Sequence, residues 1–288
     1  MAMRATLLIG LGGALFLSLG CEASKCDGEN GQSAVCLKSL KRFDGESVTQ
    51  SADYTAGADV SVHNRNGNVE IIAGSVDDSV VATFHPFVLR AYDTSESVVA
   101  DDLTKLEASA TTDADGSVTV DVSRMSGAES TLGADVTVEL PPSFAGTLGL
   151  DQDNGETRVK FVGSATTLGV TNRNGSCELV TGASDVSVHC ENGDLSARID
   201  GATPQSGQGF RTDNGSITLT LPADGVFSVQ AQALAGGSVK VEHLPATCSV
   251  NAASDAAKTL SCNGATDADP IYAAKAAGTS LADVTLTF

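Results

Sequence analysis

The sequence predicts an all-β protein, a β-solenoid (β-helix) of roughly 20-residue coils with a short helical insertion near residues 95–107. Three observations carry this. An Asn-Gly or Asp-Gly step recurs along the chain at a near-constant interval. Each step is flanked by alternating apolar and polar residues. The composition, with 30 Gly, no Trp and 4% aromatics, suits thin regular β-structure better than a large mixed core.

The chain opens with MAMRATLLIGLGGALFLSLGC. Arg4 supplies a basic start, and the apolar stretch from Thr6 to Leu19 is short for a transmembrane helix, so residues 1–20 read as a signal peptide. Leu17-Ser18-Leu19-Gly20-Cys21 resembles the lipobox of bacterial lipoproteins, although Ser18 stands where Leu, Val or Ile is more usual. That resemblance implies lipidation of Cys21, with residues 21–55 forming a polar tether that carries a basic cluster from Lys38 to Arg42. Glu22, in place of an Asp, favours the outer membrane under the common sorting rule.

With Cys21 set aside, six of the seven cysteines remain and fall into three local couples. The sequence leaves connectivity open. Proximity favours Cys26–Cys36, Cys177–Cys190 and Cys248–Cys262, each closing a short loop in an oxidising compartment.

The repeats occupy the body, residues 56–288. Turn steps lie at Asn66-Gly67, Asp115-Gly116, Asn154-Gly155, Asn174-Gly175, Asn192-Gly193 and Asn214-Gly215, with a weaker copy through Gly236. From Asn154 onward the intervals are 20, 18, 22 and 22 residues, enough for two short strands and two turns. Asn-Gly supplies the backbone a tight turn needs. Hairpins of an antiparallel meander would use the same step, but the regular period favours coils that each stack on the one before. Period-two alternation turns Leu168, Val170, Asn172, Cys177 and Leu179 inward. Two residues before each turn Asn stand Asn64, Gln152, Asn172, Cys190 and Thr212, a partly polar stack placed to satisfy turn backbone. Ser95–Glu107 has helical spacing in Val98, Leu103 and Leu106, with Ser95 as candidate N-cap. The end, Asp283–Phe288, reads as a plain alternating strand within C-terminal coils or a cap over 246–288.

The turn repeats, together with VTVELPPSF at 136–144 and ITLTLPADGVFSV at 217–229, resemble the bacterial "putative adhesin" family catalogued as domain of unknown function 4097. The resemblance covers roughly residues 58–245. It implies a β-solenoid displayed on the cell envelope, with no catalytic residues to carry over. Paired cysteines in the rungs are a departure from that family, and the last forty or so residues lie outside the resemblance.

Composition narrows the functional classes. Against 36 Asp and Glu stand only 17 Lys and Arg, a formal charge of −19 that repels phosphate backbones and unaided adsorption to anionic lipid. His63, His85, His189 and His243 are too dispersed for a zinc site, although His63 and His189 hold equivalent rung positions. Turn acids Asp151, Asp153, Glu156, Asp185, Glu191 and Asp213 offer oxygen ligands for a calcium-stabilised structural module, but the GGxGxDxUx signature is missing. A carbohydrate-active enzyme on a β-helix would need two facing carboxylates, such as Asp153 and Asp213, and aromatic platforms that a chain with three Tyr and no Trp lacks. There is no GxSxG, P-loop or dinucleotide turn. The strands are too short and aromatic-poor for a transmembrane barrel. The sequence therefore points to a noncatalytic envelope lipoprotein, without metal or cofactor, that presents its β-solenoid for adhesion, ligand binding or envelope sensing. It is expected to be anchored through its N-terminal lipid, to meet an envelope protein or glycan, and to be capable of self-association at exposed strand edges.

Overall fold

The computed structural model describes residues 23–27, 33–37, 40–161, 167–200, 208–234, 236–266, 271–277 and 282–288. Residues 1–20, read from sequence as a signal peptide, and Cys21 lie outside the described residues. Strands Ala23–Asp27 and Ser33–Leu37 pair antiparallel, with Ser24 opposite Cys36 and Cys26 opposite Ala34. The side chains of Cys26 and Cys36, and hence their pairing, are also outside the described residues.

The fold is all-β, and the described residues form two large sheets of 11 strands each, both mixing parallel and antiparallel pairs. Along the repeats the chain alternates between them. Thr147–Asn154, Thr167–Asn174, Asp185–Asn192 and Gln208–Asn214 lie side by side and parallel in the first sheet. Their successors Thr157–Phe161, Cys177–Thr181, Leu195–Ile199 and Ile217–Thr220 do the same in the second. The Asn-Gly steps are thus corners between sheets, and not hairpin turns.

Alternation explains the core. Inward residues form rows across the strands: Val62, Leu150, Val170, Val188 and Phe210 in the first sheet. Ile71, Val159, Leu179, Ala197 and Leu219 form the matching row in the second. All are buried in one continuous cluster. Each Val, Leu or Ile so placed contributes about 1.5–3 kcal/mol relative to exposure.

Stacking departs from sequence order at both ends. Val60–Asn66 and Val69–Ala73 lie directly against Thr147–Asn154 and Thr157–Phe161, some eighty residues away in sequence. On their other side lie Val118–Arg124 and Leu132–Leu140, which come later in the chain. At the C-terminal end, Ile271–Ala276 and Val284–Thr287 insert between the coil ending in Thr220 and the strands Phe227–Ala233 and Val239–Val241. Val239–Val241 is therefore an edge strand of its sheet, and Val284–Thr287 is internal.

Antiparallel strands close the stack. Ser79–Ala91 runs antiparallel to Leu132–Leu140 and carries Leu40–Asp44 and Val48–Asp53 on its far side. Those two strands fall in residues read from sequence as tether. At the other end the hairpin Cys248–Ser254/Ala257–Cys262 pairs with Phe227–Ala233. Antiparallel strands thus cover both ends of the first sheet and one end of the second, whose other edge is the short parallel strand Val239–Val241.

Two local expectations are corrected. Asp115-Gly116 turns a hairpin between the antiparallel strands Leu106–Thr112 and Val118–Arg124, and makes no corner between sheets. There Asp115 Oδ1 accepts from the Ser117 amide at 3.0 Å and hydroxyl at 2.6 Å, an Asx turn that folds the chain back on itself. The helical insertion spans only Glu96–Leu103, because Leu106 already begins a strand. Ser95 holds the N-cap position with extended backbone, but its hydroxyl bonds Ser97 and not the helix amides. Among the described residues no helix is long and apolar enough to cross a membrane.

Candidate functional site

The repeated corner is the most ordered chemical feature of the molecule. Five asparagines, Asn66, Asn154, Asn174, Asn192 and Asn214, stand in register on neighbouring strands. Each side-chain amide donates to the Oδ1 of the one before it: Asn154 to Asn66 at 2.9 Å, Asn174 to Asn154 at 3.1 Å. Asn192 donates to Asn174 at 3.1 Å and Asn214 to Asn192 at 2.9 Å. Asn66 closes the first end by donating to the carbonyls of Ser130 and Leu132, both at 2.9 Å. The sequence marks these residues as turn formers. Their amide-to-amide bonding could have been found from the identical residue recurring at one register.

The following glycines pack against each other along the same line. A Cβ on Gly175 would stand 1.9 Å from the Gly155 carbonyl oxygen, and one on Gly193 would stand 2.1 Å from that of Gly175. Only hydrogen fits between successive corners. Behind them lies the buried polar stack expected from sequence. Asn64 donates to the carbonyl of Gly67 at 3.2 Å and Gln152 to the same atom at 2.6 Å. Asn172 donates to that of Gly155 at 2.8 Å, and the Thr212 hydroxyl to that of Gly193 at 2.9 Å. All four side chains are buried, and their bonds satisfy carbonyls of the partly buried corner glycines.

Cysteine replaces amide at one level of this stack. Cys177 and Cys190 form a disulfide. Cys177 sits in register with Thr157, and Cys190 with Asn172. The Asn172 amide donates to the Thr157 hydroxyl at 3.1 Å, so the disulfide makes covalently, one level on, the cross-coil link that a hydrogen bond makes here. Cys248 and Cys262 form the second disulfide, across directly paired positions of the capping hairpin.

The outer face of the first sheet repeats three rows. Ser61, Gly149, Gly169, Ser187 and Gly209 form a row of small residues. A Cβ on Gly169 or Gly209 would meet nothing within 4 Å, so these glycines border open space. Next to it runs His63, Asp151, Thr171, His189 and Arg211, and beyond that Arg65, Asp153, Arg173, Glu191 and Asp213. The small row was missed in the sequence, although Gly149, Gly169 and Gly209 each precede a corner Asn by five residues.

Ion pairs tie charges of this face across coils. Arg173 bridges to Asp153 and lies 3.6 Å from Asp151. Asp213 takes Arg211 at 2.7 Å and His189 at 3.0 Å. Desolvation, the largest influence on Asp213, pushes its carboxyl up, but the bonds from Arg211 and His189 outweigh it and hold it below the ordinary range. Exposed pairs of this kind each contribute at most about 1 kcal/mol.

The pairs of residues considered for chemistry are not brought together. Asp153 and Asp213 lie three strands apart, about 14 Å at ordinary strand spacing, too far for a glycosidase pair. His63 and His189 are likewise three strands apart. His85 bonds the Ser47 hydroxyl at 2.6 Å, and His243 occupies a turn with φ of 55°. Glu156 pairs with Arg158. Among the described residues no group of three or more His, Cys, Asp or Glu is arranged to hold a metal ion.

No family model matches the sequence, and no curated protein matches it either. Among solved structures, the chain is similar to one named "putative cell adhesion protein" from Clostridium sporogenes, at TM-score 0.45 and 12% identity over 84% of this chain and 99% of that one. It is also similar to a "putative adhesin" from Bacteroides fragilis, at TM-score 0.31 and 9% identity over 84% and 97% of the two chains. A third, a "putative adhesin" from Parabacteroides distasonis, has TM-score 0.26 and 8% identity over 84% and 97%. At such identities and scores, likeness carries no statement about what this chain does.

Proposed function

We propose that the chain is a noncatalytic cell-envelope lipoprotein whose stacked coils form a β-solenoid that presents a rigid outer face for adhesion or ligand capture. The observation that carries this reading is the register of the first sheet. Five parallel strands repeat the same three outward rows, fixed from behind by the asparagine ladder and the corner glycines. A surface held in one arrangement loses little conformational freedom on binding, and a periodic one suits a partner that itself repeats, such as a glycan or an envelope polymer. The lipobox at Cys21 supports attachment through lipid, and Glu22 the outer membrane.

The test separates anchor from face. Intact mass and detergent partitioning of wild type and Cys21→Ala read the anchor: lipid mass in the first and none in the second is expected. The face is read by binding to a glycan panel and to isolated cell envelopes, using Gly169→Arg with Gly209→Arg. Both positions border open space, so the fold is expected to persist while binding falls. Glycan turnover abolished by Asp153→Asn or Asp213→Asn would replace this reading with an enzymatic one.

A further inference from the structure

We infer that the cleft beside the inserted helix is a binding site for a single linear alkyl chain whose head group is uncharged or cationic and stays at the mouth. The site is separate from the outward rows of the first sheet.

The cleft arises where the two sheets part. Val48–Asp53 of the second sheet approaches Leu106–Thr112 of the first, and side chains stitch them together at one end. Gln50 Nε2 donates to the Ala108 carbonyl and Gln50 Oε1 accepts from the Ala110 amide, both at 2.9 Å. The Thr112 hydroxyl donates to the Asp53 carbonyl at 2.7 Å. Toward Val48 and Leu106 the strands border a cavity that the end of the helix Glu96–Leu103 lines from the other side. Its volume is about 530 Å³, within the roughly 300–1,000 Å³ of sites that take small molecules.

Its depth follows from burial. Phe84, fully buried, lies at the bottom, and half-buried Pro86, Leu103 and Leu106 wall it. Leu106 packs against the main core and also against the smaller one around Val88, Val99 and Leu132, so the cleft lies at the seam between two cores. Small residues keep it open. A Cβ on Gly45 would stand 3.3 Å from Leu103 Cδ1 and 3.5 Å from Pro86 Cβ, and Ala100 and Ala108 line the space with single methyl groups.

Shape, polarity and charge choose the occupant. The lining follows two strands lengthwise, which suits a chain better than a bulky ring system. Every lining residue is apolar except Glu46 and Thr104, and both of these are exposed, so an apolar body lies inward and a polar head outward. Val48 is 46% exposed at the mouth, apolar surface that an alkyl chain would cover. The Glu46 carboxylate, on a chain of net charge −19, repels an anionic head and attracts a cationic one.

The experiment uses Cys21→Ala protein prepared without detergent. It is titrated with the uncharged dye phenylnaphthylamine, which is then displaced by hexanol, octanol, decanol, decylamine and decanoate. Fluorescence is expected to saturate at a single dye per chain, and affinity to rise about two- to fourfold with each methylene of the alcohol. Glu46→Gln should raise decanoate affinity about two- to fivefold, lower that of decylamine by a similar factor and leave decanol unchanged. Ala108→Phe inside the cleft and Ala100→Phe on the exposed helix surface should each weaken decanol by roughly tenfold or more, with urea midpoints showing that both fold. Val48→Asp replaces Ala108→Phe if that variant unfolds. Dye binding that never saturates, or decanol affinity untouched by Ala100→Phe and Val48→Asp, would overturn the inference. So would light scattering that finds a dimer in the parent and a monomer in Ala100→Phe, since a second copy would then fill the cleft. Decanoate affinity unchanged by Glu46→Gln would overturn the choice of head group.

Discussion

Replacing Gly175 by alanine should be among the most damaging single-methyl additions the chain can receive. The new Cβ would stand 1.9 Å from the Gly155 carbonyl oxygen and 2.6 Å from its carbon. Reaching ordinary contact requires about 1.5 Å of separation between adjacent corners. That movement draws the bond from the Gly155 amide to Asn174, now 2.8 Å, past its useful range. The bond from the Thr157 amide to Ser176, now 2.9 Å, and that from Asn174 to Asn154, now 3.1 Å, stretch with it. Three bonds at about 1 kcal/mol each are at stake. Gly175 also sits at φ of 146°, where a side chain adds about 1–3 kcal/mol. The loss should therefore be about 4–6 kcal/mol, a large part of the total stability of an ordinary domain. Urea unfolding measures it as a fall in midpoint at unchanged slope. Gly169→Ala is the matched control: it adds the same methyl where nothing lies within 4 Å, and should be neutral or gain up to about 1 kcal/mol. A Gly175→Ala protein within about 1 kcal/mol of wild type would refute the close-approach account of the corner.

Three further outcomes follow from the same geometry. Asn172→Ala removes a buried amide and leaves the partly buried Gly155 carbonyl without its 2.8 Å donor, and should cost about 1–3 kcal/mol by the same unfolding measurement. Removing the Cys177–Cys190 disulfide by double alanine substitution should cost about 2–4 kcal/mol, whereas Cys177→Thr with Cys190→Asn should recover about 1 kcal/mol of that by copying the Asn172–Thr157 bond. The Asp283 carboxyl is pulled down to about 2, first by the Lys240 ammonium at 2.6 Å and then by the Ser238 amide and hydroxyl. A carboxyl whose folded pKa lies below its unfolded value of about 3.9 adds stability above that pH, and this is lost as the pH falls toward 2. Asp283→Asn should flatten the stability profile between about pH 4 and 2 and leave its slope near neutrality unchanged, as read by urea midpoints across pH.

What could be read from the sequence was whatever each strand–turn–strand unit decides for itself. Inward rows follow from alternation, because Leu150, Val170 and Val188 must point one way for any core to exist. The buried amides at Gln152 and Asn172 were legible for the same reason, being polar residues on an apolar face beside a turn that leaves carbonyls exposed. The order of the strands in each sheet was not legible, because it depends on which strands are interchangeable. Val60–Asn66 ends in the same Asn-Gly step as Thr167–Asn174, so either can ladder against Thr147–Asn154, and in the fold both do. Nothing within Val60–Asn66 says that Val118–Arg124 will take its other side. Asp115-Gly116 shows the same limit from the opposite direction. A turn dipeptide fixes a local reversal, but whether the flanking strands meet each other or separate into two sheets depends on what covers them. Here Leu106–Thr112 lies antiparallel on the outer side of Val118–Arg124 as the edge strand of its sheet among the described residues, and the reversal is a hairpin. Corners occur where the glycine packs against the backbone of a neighbouring strand, Ala134 for Gly67 and the preceding corner glycine for Gly155, Gly175, Gly193 and Gly215, so a turn dipeptide serves as corner or as hairpin according to its place in the sheets.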